Sequence, residues 1–207
     1  MNFSSELLEK AVNEFAKLPG IGKKTALRLV LHLIKQPKED VKQFGEVIQH
    51  MRMSIQFCSQ CFNISDQTVC NICNNPSRKK DTICVVENIR DVIAIESTQQ
   101  FNGVYHVLGG VISPLDGVGP DQLQIDSLAE RVISEKTQEI IFALNPNIQG
   151  DTTIYYISRK LKDCPIKITT ISRGVAFGGE LEYADEMTLA KSISNRIPIE
   201  NFITTHG

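Results

Sequence analysis

Four cysteines between residues 58 and 73 have the spacing of a metal site. Cys58 and Cys61 form one C-x2-C pair, and Cys70 and Cys73 form a second pair after eight intervening residues. Each pair can make a tight turn that directs two thiolates at one ion, and two pairs complete a tetrahedron. Two disulfides or four independent thiols are the alternatives, and the doubled spacing favours zinc. Since cysteine fills all four positions and leaves none for a catalytic water, we predict one structural zinc ion per chain.

A short glycine- and lysine-rich turn offers a second kind of site. Gly20 and Gly22 flank an isoleucine, and Lys23, Lys24 and Arg28 follow. The glycines let the backbone bend tightly and expose N–H groups at a helix N-terminus, where phosphate binds. The pattern is similar to the helix-hairpin-helix motif, which holds the DNA backbone without reading sequence; a plain helix–helix turn is the alternative. Residues 17–38 contain six basic residues and no acidic one, so we predict non-specific, salt-sensitive DNA binding.

Polar residues at the ends of two expected strands form a third group. Glu87 follows one strand, and Asn145, Asn147 and Gln149 follow another. The layout resembles the Toprim domain of topoisomerases and primases, in which a strand-end Glu and an Asp-x-Asp motif bind magnesium. Here amides stand where acids are usual, and Mg²⁺ prefers carboxylate and water oxygens. We therefore expect a docking or structural platform, although Glu87 can also be explained as a residue stabilised near a helix N-terminus.

The elements that must position these side chains predict a multi-domain α/β fold. Residues 1–55 form the helix-hairpin-helix region, 56–77 the zinc finger, 78–171 a Toprim domain and 172–207 a C-terminal oligomerisation segment with a closing helix at 185–195. Apolar residues at three- and four-residue steps predict three helices in the first segment. In the third segment, apolar runs predict strands at 83–86, 104–108, 140–144 and 166–169. Helix-period stretches lie between them at 92–95, 123–133 and 154–161. Such alternation predicts a mainly parallel, Rossmann-like sheet covered by helices.

Composition limits the class of protein. The 207 residues have a hydrophobic content of 42% and a net charge of −2, with seven acids and two bases in residues 115–151. Neither the N-terminus nor any apolar run predicts a signal peptide, a transit peptide or a membrane span of about 20 residues. We expect a cytoplasmic protein without membrane contact, whose thiols stay reduced.

Six segments in order resemble one protein family, the bacterial recombination mediators of the RecR family. They are LPGIG (18–22), VCNIC (69–73), ICVVE (83–87), SPLDG (113–117), Asn145-Pro146 with Gly150, and GGELEY (178–183). The likeness extends over nearly the whole chain.

The resemblance implies a non-catalytic DNA-binding protein of recombinational repair. Such proteins act with RecO and RecF to help load the recombinase onto single-stranded DNA, and they assemble as ring-like homo-tetramers that bind single- and double-stranded DNA. The resemblance implies DNA contacts at Lys24 and Arg28 and partner binding by the Toprim acids. Of these acids Glu87 is retained, whereas Gln149 stands where the family usually has Glu. The chain has no phosphate-binding loop of the G-x4-G-K type. A magnesium-dependent Toprim nuclease or topoisomerase-like enzyme is the alternative, which Asn145 and Asn147 disfavour.

Overall fold

The N-terminal part of the chain is a small helical unit. The computed structural model describes residues 3–175, 178–196 and 198, which divide into two compact units between Ile55 and Gln56. The first unit contains α1 (Glu6–Phe15), α2 (Lys23–Ile34) and α3 (Lys38–Ser54). Ser5 caps α1 through its side chain, and Pro37 stands immediately before α3. The predicted helical region is therefore confirmed.

The core of this first unit is small. Val12, Ala26 and Val30 are its buried residues, so α1 and α2 pack on each other. In contrast, α3 has no buried residue. Its apolar stripe, which the sequence shows as clearly as those of α1 and α2, is thus not covered by the described residues of its own unit.

The second unit begins with a short finger and continues as an α/β sheet. The finger contains the hairpin β1 (Gln56–Phe57) and β2 (Ile64–Ser65), followed by α4 (Asn71–Asn74). The remaining elements alternate between strand and helix before a closing helix. They are β3 (Lys79–Val86), α5 (Ile89–Ser97), β4 (Gly103–Val107), α6 (Ile125–Ser134), β5 (Glu139–Ala143), α7 (Ile148–Lys160), β6 (Lys167–Thr170) and α8 (Glu186–Ser194).

The sheet is parallel throughout, as predicted. Its strand order is β4-β3-β5-β6, and Val86 at the end of β3 lies opposite Val107 of β4 and Ala143 of β5. The carboxyl ends of these three strands therefore reach the same edge. This edge is where ligands bind in open α/β sheets, and the strand order reverses at β3 and β5.

Both faces of the sheet are covered, which explains its continuous apolar strands. Residues of α6 and α7 such as Leu128 and Ile157 pack with Ile83 on one face. On the other face, Val92 of α5 and Phe62 of the finger pack with Tyr105. The finger lies beside β4, the edge strand of the sheet, and its Phe62 also contacts this cluster.

Two helices of the sheet, α5 and α7, begin earlier than apolar periodicity indicates because polar caps start them, whereas α6 begins at Ile125, two residues after its predicted start. Asn88 and Asp91 form a reciprocal capping box at α5, and Asn147 caps α7 through its side chain. These first turns carry few apolar residues, so periodicity alone misses them. Asp185 likewise caps α8, close to the predicted start.

Part of the predicted C-terminal segment, namely residues 176, 177, 197 and 199–207, lies outside the described residues. Among the described helices, none combines the length and the apolar character needed to cross a membrane.

Candidate functional site

The four cysteines of the finger converge in the structure. Their sulfur atoms lie within 4.8 Å of one another, and all four residues are buried. The sulfurs of Cys61 and Cys70 are 3.6 Å apart, close to the edge of about 3.8 Å expected for a tetrahedron of four sulfurs with Zn–S bonds of about 2.3 Å. The backbone N–H of Cys70 donates to the sulfur of Cys58 at 3.3 Å, and that of Cys73 to the sulfur of Cys70 at 3.4 Å. Such N–H···S bonds stabilise thiolate ligands.

Thiols packed this closely need a cation before they can all ionise. Hydrogen bonds with Cys70 and Cys73, followed by burial, raise the pKa of Cys61. The pKa of Cys70 is lowered instead, first by the hydrogen bond from Cys61 and then by that from Cys73. Neighbouring thiols can therefore stabilise one thiolate, whereas four thiolates require a divalent ion at their centre. The donor set fits zinc.

The finger is attached directly to the sheet. The N–H of Val107 in β4 donates to the carbonyl of Cys61 at 2.9 Å, and the Lys80 ammonium donates to the carbonyl of Cys73. Phe62 meets His106 edge to face at 5.4 Å between ring centroids. The segment 56–77 is short and rich in polar residues, and Phe62 and Ile72 tie it to the sheet by packing against the core cluster that contains Tyr105.

The basic turn places cations around an open helix N-terminus. Gly20 has a left-handed backbone with φ of 76°, and the N–H of Ile21 closes the turn on the carbonyl of Leu18 at 3.0 Å. Gly22 precedes α2, which receives no side-chain cap from the described residues and has no acid in its first turn. The N–H groups of that turn are therefore open to an anion.

The cations around this terminus are accessible. Lys23, Lys24 and Arg28 are all exposed. Lys24, Arg28 and Lys35 also line a shallow groove along α2, together with Leu27 and Leu31. The arrangement suits a polyanion that runs past the helix terminus and along one side of α2.

The strand-end group contains a hydrogen-bonded pair. Glu87 and Asn145 meet at the carboxyl edge, where the Asn145 amide nitrogen donates to a Glu87 carboxylate oxygen at 2.9 Å. The Asn147 side chain accepts from the N–H of Gly150 at 2.8 Å as the cap of α7. Gln149 lies half-buried in the first turn of that helix. The structure thus brings Glu87 and Asn145 together and uses Asn147 for capping.

A close backbone approach shapes this loop. A Cβ added to Gly150 would lie 2.1 Å from the carbonyl oxygen of Asn145, so only glycine lets the Asn145-Pro146-Asn147 turn fold against α7. Asp151, the next residue, pairs with Arg173 at 2.5 Å, and that hydrogen bond lowers the pKa of the Asp151 carboxyl. The Arg173 guanidinium therefore fixes the Asp151 carboxylate in an ion pair. Among the described residues, the four cysteines are the only group of three or more His, Cys, Asp or Glu side chains placed to share an ion.

Comparison with known proteins assigns the three sites to one family. Family models match residues 8–52 (RecR, helix-hairpin-helix), 55–75 (RecR, four-cysteine zinc finger domain), 81–172 (Toprim domain) and 174–197 (RecR, C-terminal). Curated relatives named Recombination protein RecR match over almost the whole chain. The one from Flavobacterium psychrophilum is 60% identical over 201 residues, which are 97% of this chain and 98% of the relative. The chain belongs to the RecR family.

More distant relatives support the same assignment. The RecR of Amoebophilus asiaticus is 58% identical over 197 residues, 95% of this chain and 98% of its own. That of Porphyromonas gingivalis strain W83 is 56% identical over 194 residues, 94% of each chain. The protein is thus a RecR-family recombination protein with a structural zinc site, and the predicted family, fold class and zinc cofactor are confirmed.

Sequence reasoning missed the residues that keep the strand-end loops in place. Asn88 and Asp91 show the N-cap and N3 spacing of a capping box, which was a readable signal. The pairing of Arg173 with Asp151 joins residues 22 positions apart and has no local pattern. The RecR motifs indicate which loops contain the strand-end residues, but they do not show that Asn147 caps α7.

Proposed function

We propose that this RecR-family protein is a non-catalytic mediator of recombinational repair. It binds DNA through the basic turn and acts with RecO and RecF to help load the recombinase onto single-stranded DNA in the cytoplasm. The observation that carries the proposal is the contrast between two sites: the basic turn leaves the N–H groups of α2 without a side-chain cap or a nearby acid from the described residues, while Asn145 donates a hydrogen bond to Glu87 at the Toprim-like strand ends.

The non-catalytic part of the proposal rests on the direction of that hydrogen bond. An amide nitrogen directed at the carboxylate cannot ligate Mg²⁺, and its hydrogen bond competes with the ion for one of the two Glu87 oxygens. Magnesium needs near-octahedral oxygen ligands, usually with one or two carboxylates. Asn147 supports the same view, because its oxygen is committed to α7.

A magnesium-dependent cleavage assay distinguishes a mediator from a Toprim enzyme. Supercoiled plasmid and labelled single strands are incubated with the protein in millimolar Mg²⁺, and nicking or relaxation is measured. We expect no products above those of a Glu87→Gln variant. Cleavage that disappears in Glu87→Gln would overturn the non-catalytic role.

DNA binding is proposed to centre on Gly20, Gly22, Lys23, Lys24 and Arg28. Replacing Lys24 and Arg28 by alanine should weaken binding to all sequences alike, and should reduce the salt slope for duplex DNA by about 2 because two phosphate contacts are lost. Lys10→Ala with Lys42→Ala is the matched control, since it removes the same charge from exposed positions of the same unit. An equal loss in both double variants would show that only net charge matters and would refute the assigned site.

Partner binding is proposed at the carboxyl edge of the sheet, around Glu87, Asn145, Asn147 and Gln149. The retained Glu87 carboxylate is the charged group there that RecO can contact. Capture of RecO by immobilised protein should fall in Glu87→Ala and stay unchanged in Lys24→Ala with Arg28→Ala. Loss of both activities in either variant would contradict this division between the two sites.

A homo-tetramer is proposed for the assembly, supported by the uncovered stripe on α3. Five apolar residues follow the 3-4-3-4 spacing of a coiled-coil seam. They are Val41, Phe44, Ile48 and Met51 of α3 and Ile55, which directly follows the helix; the last four are 36–49% exposed. Light scattering should give about four times the chain mass of 23.1 kDa, and Phe44→Ser with Ile48→Ser should lower it. A monomeric wild-type mass at micromolar concentration would rule the tetramer out.

A further inference from the structure

An apolar pocket lies between the finger and the carboxyl edge of the sheet. It has a volume of about 590 Å³ and is lined by Phe57 and Phe62 of the finger and by Ile89 and Val107 of the sheet domain. Asn88 and Gln124 add two amide side chains, and none of its lining residues is charged. The size and the lining suit one large apolar side chain with part of its backbone.

The finger keeps two aromatic rings at this pocket. Phe57 is 65% exposed although it belongs to β1. Phe62 adopts a left-handed backbone with φ of 62°, which costs about 1 kcal/mol for a non-glycine residue. Contact with His106 holds the Phe62 ring on the sheet side. Phenylalanine is enriched at protein–protein interfaces, and here an exposed one lines a formed apolar pocket.

One carboxylate adjoins the pocket. Glu87 directly precedes Asn88, and its carbonyl accepts the N–H of Gly109 at 3.0 Å; both of these neighbours line the pocket. Its side chain is hydrogen-bonded to the neutral Asn145 amide. Among the ion pairs of the described residues, none involves Glu87. A negative charge is thus available at the border of an apolar pocket.

We propose that this pocket binds a large apolar side chain of a partner protein, and that a lysine or arginine next to that side chain pairs with Glu87. The inference deepens the proposed partner surface at the sheet edge and rests on it. A protein is favoured over a nucleic acid because the lining is apolar or neutral and has no basic residue to pair with phosphates. The finger then has a second role besides zinc binding, since it supplies one wall of the docking site.

The test uses the full chain with ¹³C-labelled isoleucine δ1 methyl groups, which remain visible by NMR in large assemblies. The probe is N-acetyl-leucyl-argininamide, compared with the leucyl-glutamate and glycyl-arginine analogues. We expect a saturable shift of the Ile89 methyl signal with a dissociation constant of about 1–10 mM. The arginine peptide should bind about two- to fivefold more tightly than the glutamate peptide because of one solvent-exposed ion pair.

Two variants separate the apolar contact from the charge. Phe57→Ser should weaken leucyl-arginine binding by about threefold or more through lost apolar area, while zinc content reports that the finger is intact. Glu87→Gln should remove the preference for arginine and retain leucine binding. Ile133→Ser is the matched control, because this isoleucine is 69% exposed on α6 and does not line the pocket.

Several results would overturn the proposal. They are no shift at Ile89, equal shifts with the glycyl peptide, and an unchanged affinity in Phe57→Ser. Deletion of residues 197–207 tests the chain's own C-terminus as the occupant. A change of the Ile89 signal on this deletion that matches the peptide-induced shift would identify the C-terminus as the occupant and overturn the proposal. If the peptides fail but Glu87→Ala still loses RecO, the proposed partner surface survives without the pocket. If the peptides bind but RecO capture is insensitive to Glu87, the partner surface fails and the pocket stands.

Discussion

Replacing Asn145 by aspartate removes the hydrogen bond to Glu87 and places a second carboxylate at the end of the sheet. The amide nitrogen lies 2.9 Å from a Glu87 oxygen, so Asn145→Asp places two carboxylate oxygens at about that separation. In water their repulsion is about 1.4 kcal/mol at this distance, and the lost hydrogen bond adds about 1 kcal/mol. Rotation of the exposed Asp side chain relieves part of this, so we expect a net loss of about 1–2 kcal/mol at pH 7.

Thermal unfolding at several pH values and magnesium concentrations measures the effect. Asn145→Ala serves as the control, because it removes the hydrogen bond without adding charge. The loss of stability in Asn145→Asp beyond that in Asn145→Ala should disappear as pH falls towards about 4, since one proton shared by the two carboxylates removes their repulsion. It should also shrink in about 10 mM Mg²⁺, which can bind two carboxylates but finds only one in the wild type.

Two outcomes would refute this reasoning. The first is wild-type stabilisation by Mg²⁺ as large as that of Asn145→Asp, which would mean that the amide does not close the site. The second is an equal loss in the aspartate and alanine variants at neutral pH, which would mean that the carboxylates never approach each other.

Three further predictions concern the framework around the sites. Cys58→Ser should reduce zinc below about one ion per chain and lower the melting temperature, since structural zinc supplies folding energy. Metal analysis and thermal unfolding check this. Cys164→Ser is the control, because it leaves the four-cysteine cluster intact. Gly150→Ala should cost about 1–3 kcal/mol in denaturant unfolding, because its Cβ would meet the Asn145 carbonyl oxygen at 2.1 Å; Gly45→Ala in the exposed part of α3 should not destabilise. Burial lowers the pKa of His106 from 6.5 to about 4, so the unfolded chain takes up this proton first and stability falls as pH drops from about 6.5 to about 4, by about 3 kcal/mol in total. The His106→Gln variant should lose about 3 kcal/mol less stability than the wild type over this pH range. Equal acid sensitivity of the two proteins would exclude His106 as the source of the loss.

Much of the fold could be predicted because several independent signals agree. The apolar runs of the four strands are flanked by helix-period stretches, and parallel order follows from that alternation. The cysteine spacing defined the ligand set, since two C-x2-C turns can converge on one ion without help from distant residues. The glycines at 20 and 22 marked the turn before α2 for the same local reason.

The rest of the site depends on contacts that leave no sequence period. Asn145 and Glu87 are 58 residues apart, and their hydrogen bond exists because the parallel register aligns the ends of β3 and β5. Asn147 caps α7, although it stands where the Asp-x-Asp motif of Toprim domains has a metal-binding acid. The packing of Phe62 on the sheet is equally invisible, because a single aromatic residue in a polar segment predicts neither a core nor a partner.

The zinc site has a different place in the molecule from the one its sequence position suggests. It follows the helical region directly in the sequence, yet it belongs to the same compact unit as the sheet. The structure joins the finger to β4 through the Val107–Cys61 hydrogen bond and through Phe62. Zinc therefore stabilises the finger beside the edge strand β4 and one wall of the pocket beside Glu87. Its loss should impair partner binding at that edge first, because the basic turn belongs to the other compact unit. A Cys58→Ser variant that keeps its DNA affinity while losing RecO capture is the expected result, and the reverse order of losses would contradict this assignment.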